Sequence, residues 1–316
     1  MIDRAEGPSE NQMAPCRGCY HELMTPAATN AETTRASWYP AAWFGLLLLV
    51  CYAPILRALI YAWIHNEDMG HGFFVPLVAG YIVWQRRDEL LALKPQPSWW
   101  GLGMVLGGAL LLVIATLGAE VFLARLSFVV TLVGMVWMLG GPPFLKKLRF
   151  PLFLLLFMMP IPSVIYTRIT FPLQLMASRL AENALTAFSI PVLREGNVLE
   201  LPSQRLDVVE ACSGIRSLLS LTFLALVYGH FFEKKTWIRT ALFFSTVPIA
   251  ILANAGRVTL TGLASLINPA LTEGAVHEAM GLVTFFIALG ILIGIHRLLV
   301  RIGRWPARRR LGELPA

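Results

Sequence analysis

A chain of 316 residues that is 56% hydrophobic and only 14% charged falls well short of the roughly 25% charged residues of a soluble globular domain, which excludes that class. Its formal net charge of +7 does not point to nucleic acid, because the basic residues sit in short clusters beside apolar stretches, as membrane orientation requires. The composition is that of an integral membrane protein.

We read a single polytopic membrane domain over 38–305, with a polar tail at 1–37 and a basic tail at 306–316. The first tail is rich in Ala, Thr, Glu, Pro and Asn and is expected to be disordered and cytoplasmic. It lacks the basic-then-apolar pattern of a cleaved signal, so the first span is expected to direct insertion itself. Cys16-Arg17-Gly18-Cys19-Tyr20-His21 invites a haem or metal reading. Tyr20 interrupts the haem pattern, and only His21 is near as a further ligand, so neither metal nor cofactor is expected. Cys51 lies mid-span among Leu and Val as a small buried residue.

Eight transmembrane helices are expected, at 41–63, 71–84, 101–119, 121–140, 150–166, 212–231, 237–254 and 277–298. The second is short and interrupted by Pro76, and the turn between the third and fourth is tight around Gly118–Glu120. Arg86, Arg87 and Lys94 follow the second span, Lys146, Lys147 and Arg149 the fourth, Lys234, Lys235 and Arg239 the sixth. Six arginines between Arg297 and Arg310 follow the eighth, whereas the alternate loops hold no lysine. With eight spans all the basic loops fall on one side, which the positive-inside rule makes cytoplasmic.

The segment 167–211 then lies on the outer side. Its first half repeats Gln174, Ser178, Glu182 and Thr186 every four residues, the pattern of an amphipathic helix at the interface or lining a wet cavity. Its second half alternates apolar and polar residues over Val192–Leu201 and Arg205–Glu210, a small β-hairpin leading into the sixth span. The fold class is therefore all-α integral membrane with a minor β element.

Chemistry concentrates after that hairpin. Cys212 stands where a polar segment gives way to a long apolar helix, and a helix N-terminus favours thiolate over thiol. The seventh span ends near Asn254-Ala255-Gly256-Arg257 and the eighth begins at His277. Cys212, Arg257 and His277 are thus expected near one leaflet, each at a helix end. A thiolate is a nucleophile, an imidazole can shuttle its proton, and a guanidinium can steady an oxyanion. Arg216 lies one turn after Cys212 and can tune the thiolate or fix the helix. Asn254, Glu210, Asp68 and His71 are weaker candidates for substrate binding or support. For Asp68 and His71 a packing role in the first outer loop is the plainer reading. Each of the three main residues also has an ordinary reading: a buried thiol, an arginine snorkelling to headgroups, an interfacial histidine.

Ala211-Cys212-Ser213-Gly214-Ile215-Arg216-Ser217-Leu218 resembles the nucleophile signature of the exosortases, membrane cysteine transpeptidase-proteases related to the archaeosortases. Asn254-Ala255-Gly256-Arg257-Val258 and His277-Glu278-Ala279-Met280-Gly281 are similar to the segments carrying that family's arginine and histidine. Gly70-His71-Gly72-Phe73 with Asp68 ahead of it, Phe150-Pro151-Leu152, and Met159-Pro160-Ile161-Pro162 extend the likeness over about 43–300. The resemblance implies secreted protein substrates ending in a sorting motif, Pro-Glu-Pro-like in many members, then a transmembrane helix and a basic tail. It also implies cleavage at the outer face of the cytoplasmic membrane by Cys212, Arg257 and His277. The competing reading is a transporter or a polysaccharide or lipid assembly protein with a structural cysteine. Against it, no internal repeat is evident and the polar groups gather near one surface.

Overall fold

The computed structural model describes residues 39–208, 215–268 and 274–311, with the backbone alone at 67, 275, 277 and 304–311. The expectations for the tail 1–37 with Cys16 and Cys19, and those for Glu210 and Cys212, fall outside these residues. The expected hydrophobic first span is two helices, α1 (Tyr39–Cys51) and α2 (Ala53–His65), bent by 67°. Pro54 opens α2, where its missing N–H costs nothing, and the buried Tyr52 at the break reaches Thr131 Oγ1 at 2.8 Å.

A 3-10 helix (Glu67–Phe73) leads into α3 (Phe74–Gln85) and the short α4 (Arg87–Leu91). At 12 residues, α3 extends only about 18 Å, short of a 30 Å hydrocarbon core. The second expected span is therefore not a full-length helix. Next, α5 (Trp99–Leu117) and α6 (Val121–Gly140) form a tight antiparallel pair, turning through Ala119 at φ 53°. Their backbones approach closely because Gly101 lies against the Met138 amide and Gly108 against Thr131. A side chain at Gly134 would likewise come within 2.7 Å of the Val105 nitrogen. Small residues replace hydrophobic drive where lipid is as apolar as leucine.

After Gly141, α7 (Pro142–Leu154) and a 3-10 turn (Leu155–Met158) meet α8 (Ser163–Ala187) at an 83° bend. The bend falls in Met159-Pro160-Ile161-Pro162, where each proline forces its predecessor away from helical geometry; Met159 is extended at ψ 130°. The fifth expected span, 150–166, straddles this bend and is not one helix. The amphipathic helix expected after it is the body of α8. Its polar stripe is covered over most of its length: Gln174 and Ser178 are buried, Ser178 Oγ donates to the Gly196 carbonyl, and Glu182 pairs with Arg194 at 2.6 Å, while Thr186 at its end is exposed. These contacts anchor a three-stranded antiparallel sheet, β1 (Leu193–Glu195), β2 (Val198–Glu200) and β3 (Arg205–Asp207), one strand more than the hairpin expected.

The chain ends in three helices, α9 (Ile215–Phe232), α10 (Thr236–Ile267) and α11 (Gly274–Leu311). Among the described residues five helices are long and apolar enough to cross a membrane, up to seven if each bent pair is one span, which does not confirm the expected eight. α9 joins two cores. Phe223 packs with residues of α1, α2, α3 and α6, while Leu221 and Ala225 pack with α10 and α11. A third core, with Leu185, Leu199 and Val258, seats the sheet between α8 and α10.

Contacts among the basic loops place them at one end of the bundle. Arg86 donates to the Lys147 carbonyl and lies 3.2 Å from His230, and Lys235 reaches the Gly303 carbonyl.

The α5–α6 pair yields a stability prediction. Gly108→Leu is expected to lower stability by about 1–3 kcal/mol through overpacking. Gly107→Leu, at a position with open space, is expected to change it by no more than about 0.5 kcal/mol. Denaturant titration in mixed micelles reads both.

Candidate functional site

Asp68 lies in the 3-10 helix after α2, whose first turn is tied by the Asn66 side chain accepting from the Asp68 amide. Its carboxylate receives two donors from distant parts of the chain. Arg216 Nε donates to Oδ1 at 3.3 Å and Tyr166 donates its hydroxyl to Oδ2 at 2.7 Å. Arg216 is the second residue of α9, so Asp68 fixes the start of the helix that follows the Cys212 segment, and Tyr166 ties α8 to the same point. His71, one 3-10 turn later, is buried and donates from Nε2 to the Phe157 carbonyl at 3.1 Å. Its neighbour Trp63 donates to the Met158 carbonyl at 2.8 Å. Asp68 and His71 thus lock the first loop onto the α7–α8 bend and onto α9.

Arg257 does not stand at a helix end. α10 continues ten residues beyond it to Ile267, about 15 Å along the axis. The expectation that the helix stops near Arg257 fails because Val258–Ile267 is mostly buried, holds no proline, and its Thr259, Thr261 and Ser265 hydroxyls are satisfied by carbonyls of the preceding turn, so the packing outweighs Gly262. Asn254, three residues earlier on the same face, is buried as well. The Arg257 guanidinium packs on α11 at Gly281: a methyl group there would lie 3.2 Å from its Cζ and 3.4 Å from Nη2. Thr261, one turn on, lies beside Met280, its Oγ1 4.0 Å from the sulfur. Position 277 stands one turn before Gly281 on the same face of α11. The α10–α11 hairpin therefore brings the Arg257 and His277 positions together, though they are 20 residues apart.

The third helix of the group is in register. Thr222 and Thr246 share a hydrogen bond of 3.1 Å, and Gly229 packs on Arg239, which fixes α9 antiparallel to α10. Carried along both helices, that register sets Ile215 level with Ala253, beside Asn254 and one turn from Arg257. Among the described residues no cluster of His, Cys, Asp and Glu suits a metal ion. The residues whose part the sequence did not disclose are Tyr166 and Gly281. Tyr166 carries no local signal at all. Gly281 stands inside the His277 motif, where a glycine facing a charged side chain is legible only after the helices are paired.

Asp68 is shared by two donors, so their contributions are coupled. Asp68→Asn and Tyr166→Phe are each expected to cost about 1 kcal/mol. The double variant is expected to cost less than the sum by about 0.5 kcal/mol or more, measured as a double-mutant cycle of unfolding.

No curated protein and no solved structure gives a significant match. The profile of the transmembrane exosortase family (Exosortase_EpsH) matches residues 63–294, a stretch that holds the Asp68 anchor, α9, α10 and the first part of α11. With its several membrane-crossing helices and that match over well more than half its length, the chain is a multi-pass membrane protein belonging to the exosortase family.

Proposed function

We propose that this chain is a cysteine transpeptidase-protease in which Cys212 is the nucleophile, Arg257 the oxyanion donor and His277 the proton carrier. The family supports a membrane transpeptidase or protease role. The observation that carries the residue assignment is the Arg257 guanidinium seated on Gly281, one turn from position 277. A permanent charge on the inner face of a membrane helix is costly, and service to a reaction is one reason to keep it. Cys212 precedes Ile215 by three residues, which the chain can span in at most about 11 Å. Ile215 itself lies level with Ala253, within a turn of Arg257.

In the reaction, the Cys212 thiolate attacks the carbonyl carbon of the substrate peptide bond, and the carbonyl oxygen takes up negative charge. Arg257 offers that oxygen N–H donors in a site partly sheltered from water. The C–N bond then breaks, and His277 gives its proton to the departing amine, leaving a thioester on Cys212. An amine or a water attacks the thioester, loses a proton to His277, and restores the thiol. Asp68 contributes by holding Arg216, and so the start of α9, in place. Glu210 and Asn254 are assigned to the substrate side of the same group.

The substrates on this reading are secreted proteins with a C-terminal sorting motif, a transmembrane helix and a basic tail. The motif is Pro-Glu-Pro-like, and cleavage occurs at the outer face of the cytoplasmic membrane. The basic end of the bundle then faces the cytoplasm by the positive-inside rule. A substrate helix beside this one shares its orientation, so confinement to the bilayer raises the motif's effective concentration at Cys212.

Cys212→Ala is expected to leave expression and membrane insertion unchanged and to reduce processing of a sorting-signal substrate by at least about a thousandfold. Immunoblotting of precursor and product in cells reads both. Normal processing by that variant would refute the assignment. Gly281→Val, which pushes a branched side chain against the guanidinium, is expected to depress processing strongly while the protein still folds.

A further inference from the structure

At the end of the bundle opposite the Asp68 anchor, the ends of α3 and α9, the start of α10 and the first half of α7 enclose a cavity of 510 Å³. Arg86, Lys146, Lys147, Arg149, Arg239 and His230 line it, and no carboxylate is among its lining residues. Glu89 reaches its edge and pairs with the Lys147 ammonium at 2.5 Å. The other cations are held by neutral groups or stand exposed at the mouth. Arg86 donates to the Lys147 carbonyl and, from Nη2, to His230 Nε2 at 3.2 Å; because guanidinium only donates, that nitrogen accepts and the imidazole is neutral. His230 is stacked on Phe150 with ring centroids 3.9 Å apart and planes 7° from parallel, which fixes the ring Arg86 leans on. Arg239 donates from Nε to the Glu233 carbonyl at 2.7 Å, and Lys146 and Arg149 are exposed at the mouth. Five permanent cations thus face one hollow with a single carboxylate at its rim. Like charges gathered so closely repel one another unless an anion joins them.

We propose that this cavity binds the phosphate headgroup of an anionic phospholipid. The chemistry fits a phosphate because forked guanidinium donors and point-charge ammoniums converge there, with one carboxylate, Glu89, engaging Lys147 at the rim. The location fits a lipid rather than a soluble phosphate. Trp84, Phe232 and Trp237 are exposed around the same end of the bundle, and such side chains settle at headgroup depth. Arg87 lies over the Trp84 ring at 4.7 Å, extending the basic rim along that belt. Leu93 and Phe150 give the cavity an apolar wall, suited to a glycerol backbone entering from the bilayer. A lipid held there touches α3, α7, α9 and α10 at once, adding to the apolar contacts that join these helices in smaller groups. The site is independent of the catalytic assignment and lies away from it.

The test is thermal unfolding of the full-length protein in neutral detergent, titrated with phosphatidylglycerol, with phosphatidylcholine, and with inorganic phosphate. Phosphatidylglycerol is expected to raise the melting temperature saturably, and the other two to leave it unchanged. Lys146→Gln with Arg149→Gln is expected to weaken the phosphatidylglycerol response by about tenfold or more. Arg297→Gln with Arg301→Gln, which removes the same charge from α11, is expected to shift it by less than about twofold. Equal responses to the two lipids, or equal losses in the two double variants, would overturn the proposal. So would inorganic phosphate reproducing the full stabilisation, which would make this a soluble-anion site.

Discussion

One contact organises the C-terminal half of this protein: a guanidinium on α10 lying flat against a glycine on α11. Arg257 is well inside its helix, and hydrocarbon is a poor place for a permanent charge. Glycine gives the planar group room there, since even a methyl group would lie 3.2 Å from its Cζ. That approach sets the spacing of the α10–α11 hairpin and, through the one-turn offset, the distance between the arginine and position 277. The apolar packing below it, with Leu221, Leu242 and Leu292 fully buried, makes the pairing rigid rather than adjustable.

The N-terminal half serves this group from outside. α5 and α6 form a close-packed wall, and Thr131 links that wall to Tyr52 at the break between α1 and α2. The first loop then places Asp68 under Arg216, so the start of α9 depends on residues 148 positions away. Bends at Pro54 and at Pro160–Pro162 let short helices supply these supports without each crossing the bilayer in full. The Asp68 carboxylate is well satisfied by an arginine and a tyrosine, as a partly buried charge must be.

Much of this was legible in the sequence, for identifiable reasons. Membrane class, basic loops on one side, the tight Gly118–Glu120 turn and the β element before the sixth expected span all follow from composition, charge placement and residue periodicity. Span number was not, because hydropathy counts apolar residues and does not register an 83° bend between Leu155–Met158 and Ser163. The polar stripe of α8 is visible as a repeat, yet its partner, the sheet, is not specified by that repeat, so periodicity alone points to an interface or a wet cavity rather than to Gly196 and Arg194. Arg257 was found as a site candidate but set at a helix end, since nothing in Asn254–Val258 distinguishes a helix interior from its terminus. The contributions of Tyr166 and Gly281 exist only in the pairing of helices.

The central claim is that one pocket makes Cys212 reactive through Arg257 and His277. The pH dependence of Cys212 alkylation by a membrane-impermeant reagent tests it most directly, in protein whose other three cysteines are replaced by serine. In the wild-type background the thiol is expected to react with an apparent pKa below the ordinary value of about 8.5. Arg257→Gln and His277→Ala are each expected to raise it and to slow the reaction at neutral pH. Profiles that coincide in all three proteins would contradict the account.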